Sequence, residues 1–359
     1  MIPIYKPDVT EKEIAAAADV LRSGWIGAGT KVAEFEQAFA SYIGVRHAIA
    51  TSSCTAALHL SLIASAAAGS EVITTPMTYV ATNHAILYCG AIPVFCDIET
   101  DSLNIDPNCL RGLITDKTRV IIVVHHGGAP ADVDRILEIA NEYGLIVIED
   151  VAHGCGGRHH RGMLGSLGKF GCFSFYATKN MTTCDGGMIT TNDSTAYERI
   201  LRLRDFGLTK SVWDRTQGGY SWDYDLAELG YKYCMNDLAA AIGLVQLGRL
   251  DTMSRRRHQI WVAYDEAFRM CERIRLFPPR TYAAAHAHHL YIIRHENRDA
   301  IHEHLRAAGI STGVHYRPSN QFTLYRKYRG STPVANKSWT EILTLPLYSS
   351  MGQDEVDSV

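Results

Sequence analysis

Lys179 sits in FSFYATKNMTTCDGGMI, a polar run of small residues between two apolar segments that read as strands. A lysine there has two explanations. It is a surface-loop cation, or its amine forms a Schiff base with an aldehyde cofactor, which spares a buried site an unpaired charge. Asp150 closes the apolar run IVIED and is followed by VAHGCGG. A carboxylate at the carboxyl end of a parallel strand faces the crevice where open α/β sheets bind ligands. There it can pair with a protonated pyridine nitrogen and keep an aromatic cofactor an electron sink. Helix capping and metal ligation compete for it, and Glu149 is a second acid beside it. His153, three residues on, can reach a ring hydroxyl or a substrate, although with 16 histidines in the chain a structural role competes.

The run TSSCT, residues 51–55, separates a short strand from the helical AALHLSL. Free amides and the helix dipole favour phosphate at such a junction, which makes Ser53, Cys54 and Thr55 cradle candidates; an ordinary N-cap is the alternative. Ser174, five residues before Lys179, is a further hydroxyl for the same phosphate. Tyr79, in TTPMTYVATNHAI, follows the next strand and can stack on a cofactor ring or serve as a core aromatic.

The elements that must position these groups alternate. Helices are expected over 11–22, 31–44, 55–67, 79–90 and 132–144. Strands are expected over 47–50, 71–75, 93–98, 120–124, 146–150, 169–175 and 186–191. Strands as apolar as VIIVV are covered on both faces, so the chain reads as α/β with a mostly parallel sheet sandwiched by helices. A long helix over 235–260 leads out of this body. Beyond about residue 250 the texture changes, with PPR at 278–280, a strand in HLYIIR, a helix around 299–308, then GVHYRPSN and LTLP. The division expected is 1–250 as a large cofactor-binding domain, with 1–30 at the edge of the site, and 251–359 as a smaller α/β domain. The final MGQDEVDSV begins a helix and stops abruptly.

With 359 residues, 47% hydrophobic and 20% charged, the chain can fill a core and does not read as disordered. A formal charge of -3, from 35 basic and 38 acidic residues, gives no global attraction to nucleic acid or an anionic membrane. Nine cysteines form no close CxxC pair, which suits a reducing, cytoplasmic setting. No apolar run reaches the roughly 18 residues of a membrane span, the N-terminus has no targeting pattern, and no metal is called for.

Read in order, LRSGWIGAG with the following FE, SSCTAALHLSL, TTPMTYVATNHAI, VHHGGAPADVD, VIEDVAHGCGG, FSFYATKNMTTCDGGM, ELGYKYCMNDLAAAIGLVQLGRLD and GVHY resemble the DegT/StrS sugar aminotransferases. These belong to the fold type I enzymes dependent on pyridoxal 5'-phosphate. The likeness runs from PIYKP to LTLPLY, almost the whole chain. It implies Lys179 as the Schiff-base lysine, Asp150 on the pyridine nitrogen, Tyr79 on the ring, and Cys54, Thr55 and Ser174 on the phosphate. His153 stands where the family has glutamine or histidine near the cofactor hydroxyl.

Three positions depart from the family. Its GEGG reads Cys184-Asp185-Gly186-Gly187. In GYKYCMND the usual asparagine, which reaches the cofactor phosphate of the neighbouring subunit, is missing at Lys232 and Cys234, leaving Lys232 or Asn236 as substitutes. Ser319-Asn320 replaces a common leucine-histidine. The resemblance further implies a homodimer, L-glutamate as amino donor, pyridoxamine 5'-phosphate between half-reactions, and a keto sugar on a nucleoside diphosphate aminated at C4. Trp25, Ile26, His315, Tyr316 and Arg317 are substrate-wall candidates, with interdomain packing as the alternative. Amination at C3 and a keto-cyclitol acceptor remain alternatives, as does a silent relative. Dehydratases of the family carry histidine where this chain has Lys179.

Overall fold

The structure, a computed structural model, describes residues 1–216, 220–278 and 281–359; the end of the PPR segment lies outside the described residues. Strands β1 (His47–Thr51), β2 (Glu71–Thr74), β3 (Ile92–Phe95), β4 (Thr118–Val124), β5 (Ile146–Asp150), β6 (Phe170–Ser174) and β7 (Gly187–Thr191) form one seven-stranded sheet. Its order is β1-β7-β6-β5-β4-β2-β3. Only β7 runs antiparallel to its neighbours β1 and β6, so β1 to β6 all point the same way and share one carboxyl edge. Val120, Ile121, Ile122 and Val123 of β4 are fully buried, as a strand covered on both faces requires, and each such side chain contributes about 1.5–3 kcal/mol.

Helices α1 (Glu11–Ser23), α2 (Thr30–Ile43), α3 (Cys54–Ala64), α4 (Val80–Tyr88), α5 (Val133–Glu142), α6 (Ser194–Arg204) and α7 (Asp237–Phe268) cover the sheet. Thr10 and Glu13 cap α1 reciprocally. Gly29, at the N-cap of α2, supplies no side chain, and Asp237 of the distant α7 accepts instead from the amides of Gly29 at 2.8 Å and Val32 at 3.0 Å. The helix expected over 235–260 starts two residues later and runs to Phe268, carrying Ile260 and Tyr264 into a second core with Tyr291, Leu343 and Leu345.

That second core holds strands β8 (Tyr291–Arg294) and β9 (Ile342–Leu345), paired antiparallel, with α8 (Arg298–Ala307) beside them. The start of the chain joins it: the Ile2 amide donates to Gly309 O at 2.8 Å and the Leu347 amide to Ile4 O at 3.3 Å. The C-terminal segment forms a short helix, Gln353–Ser358. No helix of the described residues is long and apolar enough to cross a membrane.

Candidate active site

Because β1 to β6 are parallel, the residues that follow them collect along one edge. Ser53 to Thr55 follow β1, Tyr79 follows β2, His126 follows β4, Asp150 and Ser174 end β5 and β6, and Gly187 opens β7 between Thr51 and Ser174. Ser53 caps α3 by accepting from the Ala56 amide at 3.1 Å, and Ser53 O takes the Ala57 amide. The amides of Cys54 and Thr55 then leave the helix end without intrahelical acceptors. A Cβ on Gly187 would lie 2.5 Å from the Ser53 carbonyl carbon and 2.6 Å from Cys54 N, so only glycine lets β7 close on this cradle.

Asp150 is buried. Its Oδ2 accepts from the Thr82 hydroxyl at 2.7 Å and its Oδ1 from the Ala152 amide at 3.0 Å. Burial pushes its pKa up, while Thr82, the Ala152 amide and Lys179 hold it down. Glu149 faces the other side of β5 and has a different task. It accepts from the amides of Gly165, Leu167 and Gly168 at 2.7 to 2.9 Å and pairs with His125 Nε2 at 3.0 Å, organising the loop before β6. The two adjacent acids are thus separated by strand alternation into a structural one and one at the pocket.

Lys179 lies in the turn after Tyr176, near Asp150 and Cys54. Loss of hydration lowers its amine to about 8, with Asp150 opposing the shift. The neighbouring Asn180 side chain donates to Ala287 O at 2.6 Å and Cys155 O at 3.3 Å and accepts from His289 Nδ1 at 3.0 Å, pinning the lysine turn to the second half of the chain. His153 Nδ1 accepts from the Gly127 amide at 3.3 Å, which puts the ring proton on Nε2, 3.0 Å from the Tyr316 hydroxyl. Burial keeps this imidazole neutral, with the positive Lys179 acting in the same direction. Tyr79 is 61% exposed and its ring centroid lies 6.1 Å from that of Tyr316.

Lys179, Asp150, His153, Cys54, Tyr79 and Tyr316 therefore come together, with Ser53, Thr55 and Ser174 on the same strand edge. The remaining substrate-wall candidates and the two phosphate substitutes are placed differently. His315 is committed on both nitrogens, to Tyr5 OH and Thr344 Oγ1 at 2.8 Å each, and Arg317 lies over Phe322 and Trp339. Trp25, Ile26 and Lys232 line a separate cavity of about 790 Å³ with Trp213. Asn236 spends its side-chain oxygen on the Ala239 amide as the cap of α7.

Of the departures, Cys184 has a φ of 69°, a left-handed backbone that glycine prefers. Ser319 is buried, accepts from Asn83 Nδ2 at 2.8 Å, and ties the segment after Tyr316 to α4. Thr82, His126, His289, Asn180 and Tyr5 were not singled out in the sequence. His126 in HHGG directly follows a strand, the same signal that marks Asp150, and Asn180 adjoins Lys179.

This sheet order, with a lysine beside a strand-end carboxylate and a helix-terminal cradle, defines a fold type I pyridoxal-phosphate transferase. The chain belongs to the DegT/DnrJ/EryC1/StrS aminotransferase family, whose pattern matches residues 7–359. It is 40% identical over 370 residues to the spore coat polysaccharide biosynthesis protein SpsC of Bacillus subtilis, covering all of this chain and 95% of that one. Among solved structures, the PMP form of Spr1654 from Streptococcus pneumoniae superposes with a TM-score of 0.94 at 35% identity, over 99% of this chain and 96% of that one. The sugar aminotransferase CalS13 of Micromonospora echinospora gives 0.92 at 30%, over 100% and 98%. The chain is a pyridoxal-phosphate-dependent transaminase, and its residues fit the cofactor: a pair of helix-terminal amides without intrahelical acceptors, a buried carboxylate, and an amine with a lowered pKa.

Proposed function

We propose that the enzyme moves the amino group of L-glutamate to C4 of a keto-deoxy sugar carried on a nucleoside diphosphate, giving 2-oxoglutarate and an amino sugar. The observation that carries this reading is the convergence of Lys179, its amine lowered to about 8, on the buried Asp150. Pyridoxal phosphate supplies, when bound, an electron sink conjugated to the substrate nitrogen.

The rest falls to the chain's own groups. Lys179 would hold the cofactor through its amine and, with that amine free, would move the proton from the donor's Cα to C4' of the cofactor. In the second half-reaction it carries protons the other way. Asp150, its charge maintained by Thr82 and the Ala152 amide, would hold the pyridine nitrogen and its proton. The amides of Cys54 and Thr55, with Ser53 and Ser174, would hold the phosphate. Tyr79 would cover one ring face, and His153, hydrogen-bonded to Tyr316, would hold the ring hydroxyl.

The sugar acceptor is supported by the names of CalS13, a sugar aminotransferase, and SpsC, a polysaccharide biosynthesis protein; C4 rests on the resemblance alone, in which the GYKY and MND parts of GYKYCMND look like enzymes that aminate C4. A homodimer is part of this reading. Tyr79, Tyr176, Trp222 and Leu229 are large and exposed in a single chain, and a second copy would bring Lys232 and Asn236, with Trp25 and Ile26, to the phosphate and substrate side. Nine free cysteines suit a cytoplasmic enzyme. The test is incubation with 15N-glutamate and a panel of nucleotide-linked 4-keto and 3-keto sugars. Label at sugar C4 is expected; label at C3, or in no sugar of the panel, contradicts the reading.

A further inference from the structure

Behind the site, the chain from Gly157 forms a small hairpin that pairs Arg158 and His159 with Gly162 and Met163, and also with Ala283 and Ala285. Consecutive residues of an extended strand face opposite ways. Here the chain turns at His160 and Arg161, so the rings of His159 and His160 sit 4.2 Å apart with planes inclined by 34°. Both present Nε2 to one oxygen of Asp134, in the first turn of α5: His160 at 3.1 Å and His159 at 3.8 Å. The three ligand atoms lie within 4.8 Å of one another.

The His159 side chain is fully buried, and its Nε2 has no hydrogen-bond partner among the described residues. A buried imidazole nitrogen without a partner is costly, and it is aimed at the cluster. A tetrahedral Zn2+ with nitrogen and oxygen ligands at about 2.0–2.1 Å separates them by roughly 3.4 Å. The observed 3.1 and 3.8 Å bracket that separation. Arg161 Nη1 donates to Asp134 Oδ1 at 3.1 Å, which orients the carboxylate and leaves Oδ2 for the histidines. His159 Nδ1 accepts from the Arg161 amide at 3.4 Å. Ligation through Nε2 would move the ring proton to Nδ1 and forfeit that contact, which is too long to be worth much. His160 and Asp134 are partly exposed, so the cluster has an entry path from solvent.

We infer that Asp134, His159 and His160 form a site for one divalent transition cation of the Zn2+ type, with solvent at the remaining position. The sequence had called for no metal. The cation clamps α5 to the hairpin, whose pairing strand leads on to Ala287, the acceptor for Asn180 beside Lys179. It braces the back of the site and takes no part in amino transfer.

The test is isothermal titration of untagged, EDTA-treated holoenzyme with ZnCl2, repeated on His160→Ala and Asp134→Asn, both partly exposed and so tolerant of change. One Zn2+ per chain is expected for the wild type, with affinity at least about 10-fold weaker in each variant. Thermal melting with Zn2+ should show a higher Tm for the wild type only. Co2+ loading reads the ligands: a visible tetrahedral spectrum without a sulfur charge-transfer band is expected, and its loss in His160→Ala. No stoichiometric binding, equal binding by wild type and both variants, or a thiolate band pointing to a cysteine site would each overturn the assignment.

Discussion

The ring proton of His153 is directed at the hydroxyl of Tyr316, 3.0 Å away, because the Gly127 amide occupies the other nitrogen of the imidazole. The two residues are 163 positions apart, one after β5 and one in the second half of the chain. Their contact ties the loop after β5 to the second half of the chain. Tyr316→Phe removes this link and strands a buried N–H. A fall in kcat/KM for the sugar acceptor of about 10- to 30-fold is expected, the equivalent of about 1.5–2 kcal/mol, with the fold retained. Unchanged kinetics would remove the contact from the account of the site.

Gly187→Ala tests the phosphate cradle. Its Cβ would press into the backbone of Ser53 and Cys54, at 2.5 and 2.6 Å, so the cradle must shift by several tenths of an ångström. Cofactor affinity, read by fluorescence titration, should weaken by at least about 10-fold, the loss of one charge-assisted hydrogen bond. Wild-type affinity would mean that the phosphate binds elsewhere.

Lys179 gives a pH signature. Its amine, lowered to about 8 by dehydration against an ordinary 10.5, is half-deprotonated near pH 8. The rate of covalent pyridoxal phosphate binding by cofactor-free protein, followed by stopped flow, should rise with pH and level off above about 8. The linked stability effect has the opposite form from an ion pair. The unfolded chain binds this proton more tightly, so the lysine destabilises the cofactor-free fold below about pH 8, and the penalty fades as pH rises to 10.5. A binding rate still climbing toward pH 10 would show an ordinary, hydrated lysine.

Glu149→Ala probes the neighbour of Asp150. Burial alone would raise Glu149, but His125 and the amides of Gly168 and Gly165 hold it below the usual range. Removing the carboxylate strands the buried amide of Gly165, the half-buried amides of Leu167 and Gly168, and His125, and urea denaturation should show a loss of about 3 kcal/mol or more. A change under about 0.5 kcal/mol would contradict this structural role.

Strand alternation explains why Asp150 was legible in the sequence while the role of Glu149 was not. Both end the run IVIED, and only the loop that folds back under the sheet shows which acid is bound. The apolar periodicity carried the seven strands and most helices, since each strand is buried on both faces. It could not show that residues 2 to 4 pair with the second core, because those contacts join the first residues to ones near 309 and 347. The capping of α2 by Asp237 was hidden for the same reason. His159 and His160 were not singled out in the sequence, and the turn at Arg161 brings both to Asp134.

The central claim is that Lys179 carries the amino transfer, and absorbance tests it most directly. Purified wild-type protein with pyridoxal phosphate should show the near-visible band of lysine-bound cofactor, which glutamate converts to a near-ultraviolet band. Lys179→Ala, folded by circular dichroism, should show neither. A glutamate-driven conversion that persists in Lys179→Ala, or none in the wild type, would contradict the assignment of Lys179 as the group on which this chemistry turns.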